Sequence, residues 1–344
     1  MSSPRRRVLC AIVLCLLCLA PAVHASEAPA PPPAPPTTMQ AGVLLDMESG
    51  KVLWARDEGA IRAPASLTKV LTALVALEQS PLDKVGVISN AARNAPGQRM
   101  FAEEGWTMPV GDMLWGLLLQ SGNDAAIALA ETISPDGTVE GFMNVANARA
   151  AELGAKDTNF VNPHGLDQPG HQTTARDLAL LTSAALSNPT FAQMVSSKTH
   201  VVPWGDGTNH LFINHNKLLW RYPGAMGVKT GFTSGAGNCL ISAVHRDGHT
   251  LIAVAMGTPA HYAESAALYD WGFANLAALN AASTTTIKPD LTPETVQLDT
   301  GAADSGAGVP AGGVKVAILI PALGIVCLVA LGMVRRYSLY YSRP

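Results

Sequence analysis

Cysteine is nearly missing from the part of the chain where it would matter. Of five in 344 residues, Cys10, Cys15 and Cys18 fall in an apolar N-terminal run and Cys327 in an apolar C-terminal one, leaving Cys239 alone between them. A single thiol closes no disulfide within that middle region, and no Cys/His cluster marks a metal site there. Basic charge is scarce as well. Residues 26–313 carry 16 Lys and Arg against 26 Asp and Glu, a net of −10 with histidine neutral. Nucleic-acid binding wants a basic face, so that class of partner is excluded. No internal repeat is found, which removes solenoid and propeller architectures.

Charge is missing altogether from Val316 to Val334, nineteen residues that suffice to cross a bilayer. Arg335 and Arg336 follow at once and Arg343 lies in the tail, so the positive-inside rule keeps the C-terminus cytoplasmic. Pro321 is tolerated in a membrane helix. At the other end Arg5, Arg6 and Arg7 precede an apolar run from Val8 to Ala20 and a small-residue site, Val23-His24-Ala25. That is the pattern of a secretory signal peptide cleaved after Ala25. The expected order is therefore a signal peptide (1–25), a proline-rich linker (26–38), a globular domain (39–280) and a Thr/Ala/Gly/Pro linker (281–313). A membrane helix (314–334) and a cytoplasmic tail (335–344) follow. The domain lies on the extracytoplasmic side of the cell membrane.

Within the domain, strand patterns occupy both ends. AGVLLDM (41–47) and VLWARD (52–57) form one hairpin, and NCLISAV (238–244) with TLIAVAMG (250–257) another, turned by Arg246-Asp247-Gly248-His249. Between them apolar residues at spacings of three and four predict helices over 112–120, 125–133, 139–154 and 175–186, with a last helix over 264–279. Gly154 ends the third as a C-cap does. Strands from both ends with a helical insert give an α+β fold, one antiparallel sheet flanked by helices.

Three short motifs carry chemistry. Ser66-Leu67-Thr68-Lys69 opens the apolar helix of APASLTKVLTALVALE (63–78), where positions three apart share a face, so Lys69 reaches Ser66. Ser121-Gly122-Asn123 lies between two helices, with the glycine expected to make the turn. Lys229-Thr230-Gly231 opens the late strand region. Singly these are a helix cap, a loop turn and a strand edge. Together, in this order and in an exported chain, they match the Ser-x-x-Lys, Ser-x-Asn and Lys-Thr-Gly set of penicillin-recognising enzymes. A serine hydroxyl needs a base within hydrogen-bond reach, and a lysine serves when burial and a second cation penalise its ammonium form. Ser66 is then the nucleophile, Lys69 the base and Lys229 the second cation. Ser121 relays a proton to the leaving group and Asn123 holds a substrate amide. The backbone N–H groups of Ser66 and Phe232 hold the oxyanion, and Thr230 with Lys229 suits a terminal carboxylate.

Over residues 39–279 the chain resembles the serine-type D-alanyl-D-alanine carboxypeptidases, low-molecular-mass penicillin-binding proteins. Besides the three motifs, Asn162-Pro163-His164-Gly165-Leu166, Thr174-Ala175-Arg176-Asp177, Asn214-His215-Asn216-Lys217 and Gly235-Ala236-Gly237-Asn238 carry the likeness. The resemblance implies a penicillin-binding/β-lactamase-like transpeptidase fold with a helical subdomain, and no metal or other cofactor. It also implies removal of the terminal D-Ala from peptidoglycan stem pentapeptides through an acyl-serine, with β-lactams as inhibitors and a role in cell-wall remodelling. Gly231 belongs to the substrate edge. His215 stands where many Gram-negative relatives have Arg, which leaves His215 or Arg221 to help hold the substrate carboxylate. His164 is expected to be a packed loop histidine. The second, all-β domain of those relatives has no counterpart here. A class A-type β-lactamase would need a glutamate-bearing loop between Asn123 and Lys229, where only Glu131, Glu140 and Glu152 occur. A non-catalytic penicillin-binding sensor is the reading from another class, and an endopeptidase on D-Ala cross-links is a variant of the first.

Overall fold

The computed structural model describes residues 31–291. Its strands are β1 (Ala41–Asp46), β2 (Val52–Arg56), β3 (Val85–Val87), β4 (Thr107–Pro109), β5 (Thr199–Pro203), β6 (Asn209–Ile213), β7 (Ala225–Thr233), β8 (Gly237–Arg246) and β9 (His249–Met256). The longer helices are α1 (Lys69–Gln79), α2 (Val110–Leu119), α3 (Asn123–Ile133), α4 (Val139–Glu152), α5 (Ala175–Leu186), α6 (Pro189–Ser196), α7 (His261–Ala274) and α8 (Leu276–Ala282). The main sheet is antiparallel in the order β2-β1-β9-β8-β7, so strands from the two ends of the chain meet at the β1–β9 pair.

Side chains alternate across a strand, and both faces of this sheet are covered. Val43, Leu45, Ile252, Val254 and Met256 point toward the helical insert. Leu44, Leu251, Ala253 and Ala255 point the other way, onto Leu268 and Tyr269 of α7. That two-sided burial is why β1, β8 and β9 read as nearly continuous apolar runs. The insert is organised around α1, where every residue from Lys69 to Ala76 is buried. An apolar helix surrounded on all sides has two polar groups to place: the Thr72 hydroxyl donates to the Pro163 carbonyl at 2.8 Å, and the Lys69 amine turns toward Ser66.

Helix starts follow the caps the sequence supplies. Thr174 accepts from Asp177 N–H at α5, and Asn188 caps α6 with Pro189 in its first turn. The β8–β9 turn has Asp247 at φ 51° and Gly248 at φ 80°, the two left-handed positions of a tight hairpin. Gly154, at φ 99°, closes the α4 segment.

Several features differ from expectation. The last helix is two, because the chain turns at Asn275, whose side chain donates to the Trp271 carbonyl at 2.8 Å. The ribbons β3–β4 and β5–β6 and helix α6 were not foreseen. Both segments expected to be linkers reach into the fold. Thr38 donates through N–H and hydroxyl to Glu264, and Ile287 is buried with its N–H on the Gly50 carbonyl at 2.7 Å. Among the described residues no helix is long and apolar enough to cross a membrane. The expected signal peptide (1–25), membrane helix (314–334) and tail (335–344) lie outside the described residues.

Candidate active site

Ser66 lies on a short 3-10 turn, Ala65–Thr68, that leads into α1, with Ala65 in the left-handed region at φ 49°. The Ser66 side chain caps nothing, unlike that of a mere helix cap, and it lines the cavity where the nucleophile is expected. Lys69 begins α1 proper. Its Nζ lies 2.9 Å from Ser66 Oγ, 2.7 Å from Asn123 Oδ1 and 2.6 Å from the His164 carbonyl. Full burial depresses its pKa well below the ordinary lysine value. The Lys229 charge pushes in the same direction, and the Asp124 carboxylate opposes both.

The turn before α3 is made differently from expectation. Ser121, not Gly122, takes the left-handed conformation, at φ 57°. Gly122 is required for close approach instead, since a Cβ there would stand 2.8 Å from Asp124 Oδ1 and 3.2 Å from Met100 N. Asp124 is fully buried and accepts the N–H groups of Met100, Phe101 and Ala125, fixing the loop that faces the nucleophile. Asn123 Nδ2 donates to the Pro96 carbonyl at 2.6 Å, which orients Oδ1 toward Lys69.

On β7 the buried Lys229 donates to Ser121 Oγ and to the Thr230 carbonyl, both at 2.9 Å. Burial alone brings its pKa down to about 7. Gly231 lets the strand edge press against the nucleophile turn, because a Cβ there would meet Ala65 Cβ and Ser66 N at 3.1 Å. Phe232 is exposed beside it. A cavity of about 260 Å³ runs from Ser66 past Ser121 and Thr230 to Phe232, His215 and His261. Arg221 is exposed and does not line it. His215 is exposed at the rim, and desolvation against the cavity wall, then the Lys229 charge, keeps its imidazole below its ordinary pKa.

His164 packs as expected, with Nδ1 accepting from Leu166 N–H at 3.3 Å and the ring pushed down to about 3 by burial, Lys69 and His171. Its carbonyl is the functional part. Gly165 follows at φ 94° because a Cβ there would fall 1.9 Å from the Ala65 carbonyl oxygen.

Sequence reasoning missed four residues here. His171 Nδ1 accepts from Val161 N–H at 3.0 Å, which leaves its proton on Nε2, 2.9 Å from Thr68 Oγ1; that hydroxyl donates to the Ala65 carbonyl. Burial holds this ring near 4. Asp124, Gln98 and His261 were also missed, and none belongs to a motif spaced regularly enough to single it out. Among the described residues the one cluster of metal-ligating side chains is Asp46, Glu48 and His249, outside this cavity.

Proteins of known kind are similar to this chain in sequence and in fold. The family model described as D-alanyl-D-alanine carboxypeptidase matches residues 27–260. The D-alanyl-D-alanine carboxypeptidase DacB2 of Mycobacterium tuberculosis is 38% identical over 250 residues, 70% of this chain and 84% of that protein. The carboxypeptidase DacD of Escherichia coli is 37% identical over 287 residues, 79% and 72% of the two chains. Among solved structures, a D-alanyl-D-alanine carboxypeptidase from M. tuberculosis superposes with a TM-score of 0.69 at 37% identity, covering 75% of this chain and 97% of that one. The Streptomyces K15 DD-transpeptidase does so at 0.67 and 31%, covering 71% and 100%. The chain belongs to the S11 peptidases, the D-alanyl-D-alanine carboxypeptidase family.

Proposed function

We propose that the chain performs its family's reaction, release of the terminal D-Ala from peptidoglycan stem peptides, through an ester on Ser66. The observation that carries this is the 2.9 Å contact between Ser66 Oγ and an amine buried to zero exposure. Burial beside a second lysine favours the neutral amine, the form that accepts a proton. Lys69 Nζ takes the Ser66 hydroxyl proton as Oγ attacks the carbonyl carbon of the penultimate D-Ala. The tetrahedral oxyanion sits between the Ser66 and Phe232 N–H groups, on the edge that Gly231 brings against the nucleophile turn. As the C–N bond breaks, the proton held on Lys69 passes through the Ser121 hydroxyl to the leaving amine, which returns Lys69 to its neutral form, while Lys229 donates to Ser121 Oγ from 2.9 Å and holds it in place. Water then attacks the acyl-ester with Lys69 again as base, and Ser66 recovers its proton. Asn123 fixes the position of Lys69 and faces the substrate amide from the same side. A β-lactam enters as the acyl donor and stays on Ser66.

None of the glutamates weighed for a β-lactamase lines the cavity, and Glu152 pairs with Arg149 on the surface at 3.1 Å. The proposal includes export by the N-terminal segment and anchoring by Val316–Val334, with the domain outside the cytoplasm. The experiment is release of free D-Ala from a pentapeptide ending in D-Ala-D-Ala by the full chain and its Ser66→Ala variant. Release that vanishes with Ser66 supports the reading. No release beside a stable penicillin adduct would make the chain a sensor, and rapid penicillin turnover would make it a lactamase.

A further inference from the structure

The Ala65 carbonyl and the Ser66 N–H belong to one peptide unit, and that unit is trans. In a trans unit the two groups point in opposite directions, so whatever fixes the carbonyl also aims the N–H. The Ser66 N–H is one of the two donors for the oxyanion, and among the described residues no acceptor engages it. Its direction is therefore set from the carbonyl side. Ala65 holds φ 49°, a conformation that costs energy for a residue with a Cβ and persists only where its surroundings enforce it.

Two contacts enforce it. The Gly165 backbone packs so closely on the Ala65 carbonyl oxygen that a Cβ there would stand 1.9 Å away. From within the fold, the buried Thr68 hydroxyl donates to the same oxygen at 2.9 Å. A hydroxyl has one proton to give, and His171 decides where it goes. With Nδ1 accepting from Val161 N–H, the His171 proton lies on Nε2, 2.9 Å from Thr68 Oγ1. A donor at that position stops the Thr68 proton from turning toward the ring and leaves the Ala65 carbonyl as its acceptor. The ring is buried and stacked on Phe160, with centroids 5.0 Å apart. Because burial holds its pKa near 4, it keeps this neutral form at neutral pH. From Val161 through His171 and Thr68 to Ala65 the donors all run one way. Hydrogen bonds chained in this manner polarise one another, and the last of them makes the Ser66 N–H a stronger donor.

We infer that His171 and Thr68 are positioning residues for the oxyanion site, turning the Ser66 N–H, through the Ala65 carbonyl, toward the place where negative charge develops. This deepens the Ser66 ester reading and rests on it. Neither residue moves a proton in the reaction. A His171 that only packed its loop against Phe160 would leave the oxyanion site as it is.

The test uses the full chain and three variants, with the urea midpoint confirming that each is folded. His171→Phe keeps a ring and loses both nitrogens, Thr68→Val loses the hydroxyl, and Thr68→Ser retains it. Acylation by a labelled penicillin is resolved into binding before the ester forms and the rate of ester formation. Affinity for a peptide boronic acid is measured beside it, because the boronic adduct on Ser66 is tetrahedral and places an oxygen in the oxyanion site. Deleting an oxyanion donor outright costs about 10²–10³-fold, so a misdirected one should slow ester formation about 10–100-fold in His171→Phe and Thr68→Val. The boronic acid should weaken by a similar factor. Binding before ester formation and the acid limb of the pH–rate profile should not move, and Thr68→Ser should stay near the parent. Thr68→Val carries the test if His171→Phe does not fold. Parental ester formation in a folded variant overturns the inference, as does slower formation with unchanged boronic-acid affinity. It is equally overturned by a Thr68→Ser chain as slow as Thr68→Val, or by a shifted acid limb, which would make His171 a proton carrier. A parent chain that forms no ester on Ser66 would instead overturn the reading on which this rests.

Discussion

Lys69 Nζ and Asn123 Oδ1 stand 2.7 Å apart although 54 residues separate them in the chain. The contact joins the first motif to the second: Asn123 is itself pinned by the Pro96 carbonyl, and the His164 carbonyl closes the third side of the amine. The two carbonyl oxygens take the two N–H groups of a neutral amine, so its lone pair is left facing the Ser66 hydroxyl. Burial and Lys229 bias the amine toward the neutral form that the chemistry requires.

Replacing Lys69 separates these roles. Lys69→Ala should lower the rate of acylation by a labelled penicillin by about 10²–10⁴-fold, the usual worth of a positioned general base. The circular-dichroism spectrum should be retained. Lys69→Arg should not restore the rate, because a guanidinium does not give up its proton. Near-normal acylation in either variant would remove Lys69 as the base.

The pH profile tests the electrostatics around that amine. A base must be unprotonated, so the acylation rate should rise with pH along an acid limb set by Lys69. Lys229 depresses the Lys69 pKa and Asp124 raises it. Lys229→Met should therefore move the limb to higher pH in the residual activity, and Asp124→Asn to lower pH. Shifts of the same sign in both variants would mean that the limb belongs to another group.

The three motifs were legible because each needs its residue types at fixed local spacing, and the sheet was legible because both its faces are buried. What the sequence hid depends on contacts between distant segments. His171 acts through Thr68, and its position 103 residues away is set by a loop with no periodicity. His261 reaches the cavity because α7 begins where it does, three residues before the start read from the apolar pattern. The left-handed turn at Ser121 was assigned to Gly122 because glycine is the residue that usually adopts it. Here a close approach to Asp124 and Met100 takes the glycine, and the serine accepts the strained conformation beside Lys229.

Gly165 tests how tightly the base's carbonyl partner is built against the nucleophile. A methyl group there meets the Ala65 carbonyl at 1.9 Å on a backbone at φ 94°. Gly165→Ala should cost roughly 2–4 kcal/mol of stability, combining left-handed strain with overpacking. It should also slow acylation by displacing the Ala65–Ser66 turn. The checks are the urea midpoint and the penicillin acylation rate of the purified protein. A variant with unchanged midpoint would show that this loop gives way freely.

Lys229 sets function against stability. Its folded-state pKa of about 7 lies below the ordinary lysine value of 10.5. Between those two pH values the unfolded chain binds more protons than the folded one, so stability rises with pH across that window. Below about pH 7 the residue is charged in both states and the folded protein carries the full cost of a buried ammonium. Lys229→Met removes that charge while roughly keeping the volume, a change that often leaves stability equal or higher. The variant's urea midpoint should therefore climb less steeply than the parent's between pH 6.5 and 9, with its advantage greatest at the acid end. Penicillin acylation should be severely reduced at both pH values, because Ser121 loses the hydrogen bond that holds it in place. Parallel stability curves for parent and variant would show that Lys229 stays protonated in the fold, and its burial would then have to be compensated by a partner other than the Ser121 hydroxyl.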